Sequence, residues 1–387
     1  MSIKELNRIC PICNNSLGMV LHKQNFILED DNPLPNEYDV VSCEQCSFIF
    51  ADVEVTQNEY NLYYEAFSKY DNTEISSGGG NTSYDAKRLN FAAEEIMKYN
   101  TCKTLKILDI GAALGGLLNI FKEKGYHNLF ALEPSLSCVK NMLNNNIKAF
   151  QGTVFSDFNQ IFNNQKFDVI VLSHVMEHIY DLKKAIANIK SILGENGKIY
   201  IEVPDASRYK DFYVVPYYYF DIEHINHFST FHLSSLMNNY GFKTVKLGEK
   251  TIPVSKDIDY PACYGIFENY IETKKSLEEY IEISKKNSHN EILEELISNN
   301  IEVVIWGAGN YTKRLLSQTN FLECSIKFFV DKDKNKQNTK INGIKIFSPE
   351  KLKGFDGVII VCSALFYNDI IDEIKNMGYL NKIFVLR

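Results

Sequence analysis

Nowhere in the sequence do apolar residues run long enough to span a bilayer, which excludes a helical integral membrane protein. Its first residues, Met1-Ser-Ile-Lys-Glu-Leu-Asn7, carry neither the basic nor the apolar region of a secretory signal, so a cytoplasmic location is expected. Basic residues are also in deficit. Lys and Arg number 41 against 49 Asp and Glu, a net charge of -8, and the two signs are interspersed. A surface selected for phosphate backbones needs the opposite balance, so neither nucleic acid nor a membrane surface is an expected partner. No internal repeat or low-complexity tract is present, and the sequence sets no oligomeric state.

What is present is a chain of 387 residues with 45% hydrophobic content, enough for two cores plus an accessory module. Nine cysteines in a chain without a signal are expected as thiols or metal ligands rather than disulfides. Cys10-Pro-Ile-Cys13 and Cys43-Glu-Gln-Cys46 form two Cys-x-x-Cys knuckles. Each can aim two thiolates at one tetrahedral ion, and four sulfurs leave no position for water, so a structural zinc is expected. Cys102, Cys138, Cys263, Cys324 and Cys362 are scattered and read as buried thiols.

The segment Asp109-Ile-Gly111-Ala-Ala-Leu-Gly115-Gly116 follows an apolar run and opens a helical pattern, and Glu133 closes the next apolar run. A strand end that turns its backbone toward a cofactor needs glycine where a Cβ would collide, a need that Gly111 and Gly115 fit. A carboxylate at the neighbouring strand tip can accept from both ribose hydroxyls. Asp109, Gly111, Gly115 and Glu133 therefore read as a pocket for S-adenosylmethionine (SAM). Strand-like runs at 105–109, 128–133, 148–151, 167–173 and 198–203 alternate with helical patterns, which implies an α/β fold with a parallel, doubly wound sheet. The helix over 181–193 is expected to stop at Gly194 and Gly197.

These residues resemble the class I SAM-dependent methyltransferases. The resemblance implies that Ser173 and His174 border the methyl donor and that Thr153 lies beside adenine. The order of a four-cysteine knuckle, a SAM domain and a second Rossmann-like domain resembles the sugar C-methyltransferases of deoxysugar pathways. In that family a nucleotide-linked 4-keto sugar loses the proton beside its ketone and the enolate takes the methyl group. The base there belongs to a Tyr-x-Glu-His pattern. Here Glu223-His224 matches the last two positions, while Asp221 stands where the tyrosine would be. His224 is the expected base and Glu223 its orienter, with Tyr217, Tyr218, Tyr219 or His227 able to donate to the enolate oxygen. The alternative is that the acid-histidine pair merely caps the helix beginning near Ser229. Tyr63, Tyr64 and Tyr70 lie on a tyrosine-rich helix that either lines a substrate pocket or packs. His178 and Tyr217 are further substrate candidates.

The expected domains are a zinc module at 1–60, a methyltransferase domain at 61–255, a helical connector at 256–300 and a Rossmann-like domain at 301–387. In the last, Trp306-Gly307-Ala-Gly309-Asn310 gives a strand, a glycine turn and a helix start, but Thr312 replaces the third glycine of a dinucleotide fingerprint. Lys313 or Arg314 could meet the phosphates of a sugar nucleotide there, or the domain is an empty structural copy. Competing readings are an O- or N-methyltransferase on a glycan precursor and a nucleotide-binding oxidoreductase or regulator.

Overall fold

Seven strands form the central sheet: β1 (Lys106–Ile110), β2 (Asn128–Glu133), β3 (Lys148–Gln151), β4 (Phe167–Ser173), β5 (Leu193–Pro204), β6 (Phe242–Pro253) and β7 (Asp259–Asn269). Their order is β6-β7-β5-β4-β1-β2-β3. β1 to β5 are parallel, and β7 runs antiparallel between β5 and β6. β2 and β4 are buried almost throughout, as strands covered by helices on both faces must be. The helix Leu182–Ile192 covers one face with Leu182, Ala185, Ile186 and Ile189, a helical period, and Asp181 caps its start. The helix Ser83–Tyr99 buries Leu89, Ala92, Ala93 and Ile96 in the other layer. Strand order reverses between β1 and β4, so the crevice for a ligand opens at their carboxyl ends.

The computed structural model describes residues 3–67, 79–80, 82–270, 273–286 and 290–387. These fall into two compact units, Met1–Tyr270 and Ile271–Arg387. In the first, an antiparallel sheet of Ile3–Glu5, Leu17–Asn25, Glu37–Cys43 and Ile49–Asp52 is completed by Asn226–His227, far along the chain. The second has six strands with Glu302–Trp306 and Ser325–Val330 at its centre, parallel apart from the Lys340–Ile341 hairpin strand. Two helices, Thr273–Lys286 and Asn290–Ser298, precede it. Among the described residues, no helix is long and apolar enough to cross a membrane.

Three sequence expectations need correction. Residues 259–269 are strand β7 rather than connector; Pro261 and Gly265 interrupt the β-pattern, yet the strand lies beside β5 and is largely buried. Gly194 and Gly197 do not stop the preceding helix. The chain turns into extended conformation at Leu193, and both glycines lie within β5. Cys102 is exposed, whereas Cys138, Cys263, Cys324 and Cys362 are buried.

Candidate active site

The two cysteine knuckles adopt matching turns. The Asn14 amide donates to the Cys10 carbonyl and the Ser47 amide to the Cys43 carbonyl, both at 2.9 Å, and Asn14 and Ser47 are both left-handed. Two sulfur pairs result, Cys10 with Cys46 at 3.5 Å and Cys13 with Cys43 at 3.4 Å. All four sulfurs lie within 4.8 Å of one another. These separations are too long for disulfide bonds and near those of a tetrahedral thiolate set.

A cavity of about 480 Å³ opens at the carboxyl ends of β1, β2 and β4. Asp109, Gly111, Glu133, Thr153, Ser173 and His174 all line it. Gly111 has a φ of +73°, and a Cβ there would lie 2.6 Å from Val175 Cγ2, so the turn requires glycine. Glu133 is buried, and its carboxylate accepts from the Ala113 amide at 2.9 Å and the Ser135 amide at 3.0 Å. Burial, reinforced by the Glu133 charge, pushes the Asp109 carboxyl up to about 8. Gly115 lies outside the lining. Its left-handed φ starts the helix Gly116–Glu123, and a Cβ there would meet the Met142 side chain at 2.7 Å.

His174 sits left-handed at the end of β4, with a φ of +57°. Its Nδ1 lies 3.1 Å from Glu177 and its Nε2 3.2 Å from Glu202, and both carboxylates are buried. Burial opposes the imidazolium, but the two carboxylates outweigh it and raise the His174 pKa. Burial likewise opposes the Glu202 charge, while the Lys250 ammonium at 2.6 Å and His174 pull this carboxyl well below its usual range. Both ring nitrogens of His174 are thus committed to carboxylates, which favour its protonated form.

Next to it, the tight turn Met176–His178 brings His178 against His224, with ring centroids 4.8 Å apart. Both histidines and Glu177 line the cavity. His178 Nδ1 donates to the Glu223 carbonyl at 3.0 Å, which fixes its tautomer. Burial and the neighbouring His178 lower the His224 pKa to about 4, leaving a neutral imidazole at pH 7. Tyr64 lines the cavity edge-on to His178, at 6.1 Å between ring centroids.

Other expected site residues lie elsewhere. The Glu223 side chain accepts from Tyr63 Oη at 3.1 Å, and both residues are buried outside the cavity lining, while the Glu223 charge favours the imidazolium of His224. Tyr219 stacks on Tyr209 at 3.9 Å and donates its hydroxyl to the Phe212 carbonyl. His227 is buried against Phe220 and Tyr209, away from the cavity lining, and burial lowers its pKa to about 3. Tyr217 is exposed and stacks on His22 at 4.5 Å. Asp221 is also exposed and outside the lining. Tyr70 lies outside the described residues. The helix after Ser229 takes its cap from that serine, which accepts from the His232 amide, so capping leaves His224 uncommitted. The sequence reading missed Arg88, Glu177 and Tyr260 in the lining, and Glu202 and Lys250 behind it. Arg88, bonded to Ser173 Oγ at 3.2 Å and to Asp85, has only helical periodicity to announce it.

In the second unit, Asp331 accepts from the Ala308 amide at 2.8 Å, as Glu133 does from Ala113. Thr312 is buried and donates to the Gly307 carbonyl at 2.5 Å.

Residues 80–247 match the family described as a methyltransferase domain, and residues 299–384 match the one described as C2185-like, N-terminal. The central part of the chain is therefore a methyltransferase domain, and the protein is an enzyme. No curated protein matches the chain significantly. Among solved structures, the chain is similar to the 1,6-didemethyltoxoflavin-N1-methyltransferase of Burkholderia thailandensis with bound S-adenosylhomocysteine (SAH). The identity is 15%, covering 58% of this chain and 97% of that one, with a TM-score of 0.42. The plantazolicin methyltransferase in complex with SAH is 17% identical, covering 55% and 96%, with a TM-score of 0.42. The magnesium protoporphyrin IX methyltransferase of Synechocystis is 10% identical, covering 55% and 99%, with a TM-score of 0.40. Similarity at this level assigns no acceptor to this chain.

Proposed function

We propose that this enzyme transfers the methyl group of SAM to the carbon beside the ketone of a nucleotide-linked sugar, with His224 as the base. The observation that carries the reading is a single cavity lined both by Asp109 and Glu133 and by His178 and His224. Its volume, about 480 Å³, suits a ligand of adenosyl size with room for an acceptor. Glu133 offers lone pairs to ribose hydroxyls, Thr153 borders the adenine, and Asp109 offers a carboxylate to an ammonium group. When bound, the donor supplies an electrophilic methyl group on sulfur.

Abstraction beside a carbonyl needs an unprotonated base, and the lowered His224 pKa keeps this imidazole neutral. Glu177 lies close enough to favour the imidazolium as it forms. The acceptor class rests on the resemblance to sugar C-methyltransferases, and the half-buried histidine pair lining the cavity offers the base that abstraction at carbon requires. Cys10, Cys13, Cys43 and Cys46 fit a structural zinc, whose role would be to fix the N-terminal sheet.

The test is hydrogen–deuterium exchange at the sugar carbon beside the ketone, in D₂O without SAM. We expect exchange with the native protein and its loss in His224→Ala, and undiminished exchange in the variant removes His224 as the base.

A further inference from the structure

Proton abstraction uses one imidazole, yet the site contains two, packed edge to face beside a buried carboxylate. We infer that Glu177, His178 and His224 form a second metal site for a divalent first-row ion such as Zn²⁺, and that its occupancy excludes proton abstraction by His224. The exclusion rests on the role proposed above for His224; the site itself does not.

The three residues can each offer one ligand atom, and these atoms lie within 4.8 Å of one another. Bonds of ~2.0–2.2 Å to a shared ion bring ligand atoms to about 3–4 Å, a closure that side-chain rotation can supply. Two histidines and one carboxylate also form a recurrent donor set that leaves positions open. An independent observation points to a missing ligand: Glu177 Oε2 is fully buried without a hydrogen-bond partner. Burying a carboxylate oxygen that way is costly, and a cation in the adjoining cavity would relieve it.

The outer contacts are those of a metal site. His178 donates Nδ1–H to the Glu223 carbonyl at 3.0 Å, which leaves Nε2 as its lone-pair donor, and Nε2 lies 4.0 Å from Glu177. His174 Nδ1 holds the same carboxylate at Oε1, 3.1 Å away. Such outer contacts fix the tautomer and orientation of metal-binding side chains. A ring nitrogen bonded to an ion cannot at the same time take a proton, so metal and abstraction compete for His224.

Full-length protein, first saturated at the four-cysteine cluster with one equivalent of Zn²⁺, is dialysed against excess Zn²⁺, and metal per chain is counted. We expect two ions in the native protein and one in both Glu177→Gln and His178→Gln, each checked for native circular dichroism. Co²⁺ added to the one-zinc protein should give a d–d spectrum without strong thiolate charge transfer, and the second equivalent should lower methyl transfer at least tenfold. One ion in the native protein, or two in both variants, overturns the site. A second ion that leaves methyl transfer unchanged overturns the exclusion. SAH binding to the one-zinc protein reads the methyltransferase assignment separately, since the metal count does not depend on it.

Discussion

Arg8 donates from Nη2 to Asn226 Oδ1 at 2.9 Å, and Asn226 Nδ2 donates to the carbonyls of Met176 and Ile179 at 3.0 and 2.7 Å. A residue just before the first cysteine knuckle thus braces the turn that carries Glu177 and His178. Arg8 is buried, donates also to the Tyr180 carbonyl at 2.7 Å and lies over the Tyr180 ring. Arg8→Ala leaves these acceptors short of a charged donor, at a cost of about 2–4 kcal/mol. We expect a lowered Tm and a loss of methyl transfer that exceeds any loss of SAH affinity, because the turn carries His178 beside His224, the proposed base. Equal losses of both would show that Arg8 acts on overall folding alone.

Asp109 is expected to couple donor binding to proton release. With its pKa raised to about 8, this carboxyl holds a proton at pH 7, and an ammonium docked beside it favours the carboxylate. Calorimetry of SAH binding at pH 7 in buffers of different ionisation enthalpy should show release of about one proton per site. Asp109→Asn should abolish that release and weaken binding roughly tenfold or more. Buffer-independent heats in the native protein would contradict this role.

With His224 as the proposed base, the acid limb of the pH–rate profile is expected to report its titration. A base works only when deprotonated, and its lowered pKa, about 4, keeps it so far below the ordinary histidine range. The kcat/KM value should therefore hold as pH falls through 6 and decline only near pH 4 to 5. A limb at the unperturbed histidine value of ~6.5 would point to a solvated base instead.

The site was legible where its chemistry is local. Asp109, Gly111 and Glu133 sit at strand tips that hydrophobic patterning marks, and all three line the cavity. Tyr219 and His227 read as catalytic because they are near His224 in sequence, but the commitment of Tyr219 to the Phe212 carbonyl is set by backbone path. The aromatic surroundings of His227 are set by packing. Glu202 and Lys250 had no local signature: they meet only because β5 and β6 flank β7, 48 residues apart in sequence. Strand β7 was obscured for a similar reason, since its burial compensates for Pro261 and Gly265.

His174 makes stability depend on pH in two directions. Its folded pKa is raised, so its contribution is complete below the unfolded value of ~6.5 and is lost as pH rises through the folded value. Glu177 and Glu202 have lowered pKa values, so their contributions are present above the ordinary carboxylate range and vanish as pH falls. The His174→Gln variant should lose about 3 kcal/mol near pH 6 and much of the decline in Tm toward alkaline pH. An unchanged alkaline slope would mean that His174 is not the group responsible.

Gly307 separates the second unit from the methyltransferase site experimentally. Its φ is +109°, and a Cβ would lie 2.6 Å from the Cys362 carbonyl oxygen, a backbone atom of the strand Val358–Cys362 that cannot rotate away. Gly307→Ala should destabilise the 271–387 unit by ~2–4 kcal/mol. The cavity residues all fall between Gln57 and Tyr260, so SAH affinity should stay within a factor of about two. Limited proteolysis should cut within 301–387 sooner in the variant and leave the N-terminal unit as resistant as before. Faster cleavage within 82–260, or a large fall in SAH affinity, would show that the strain at Gly307 reaches the first unit.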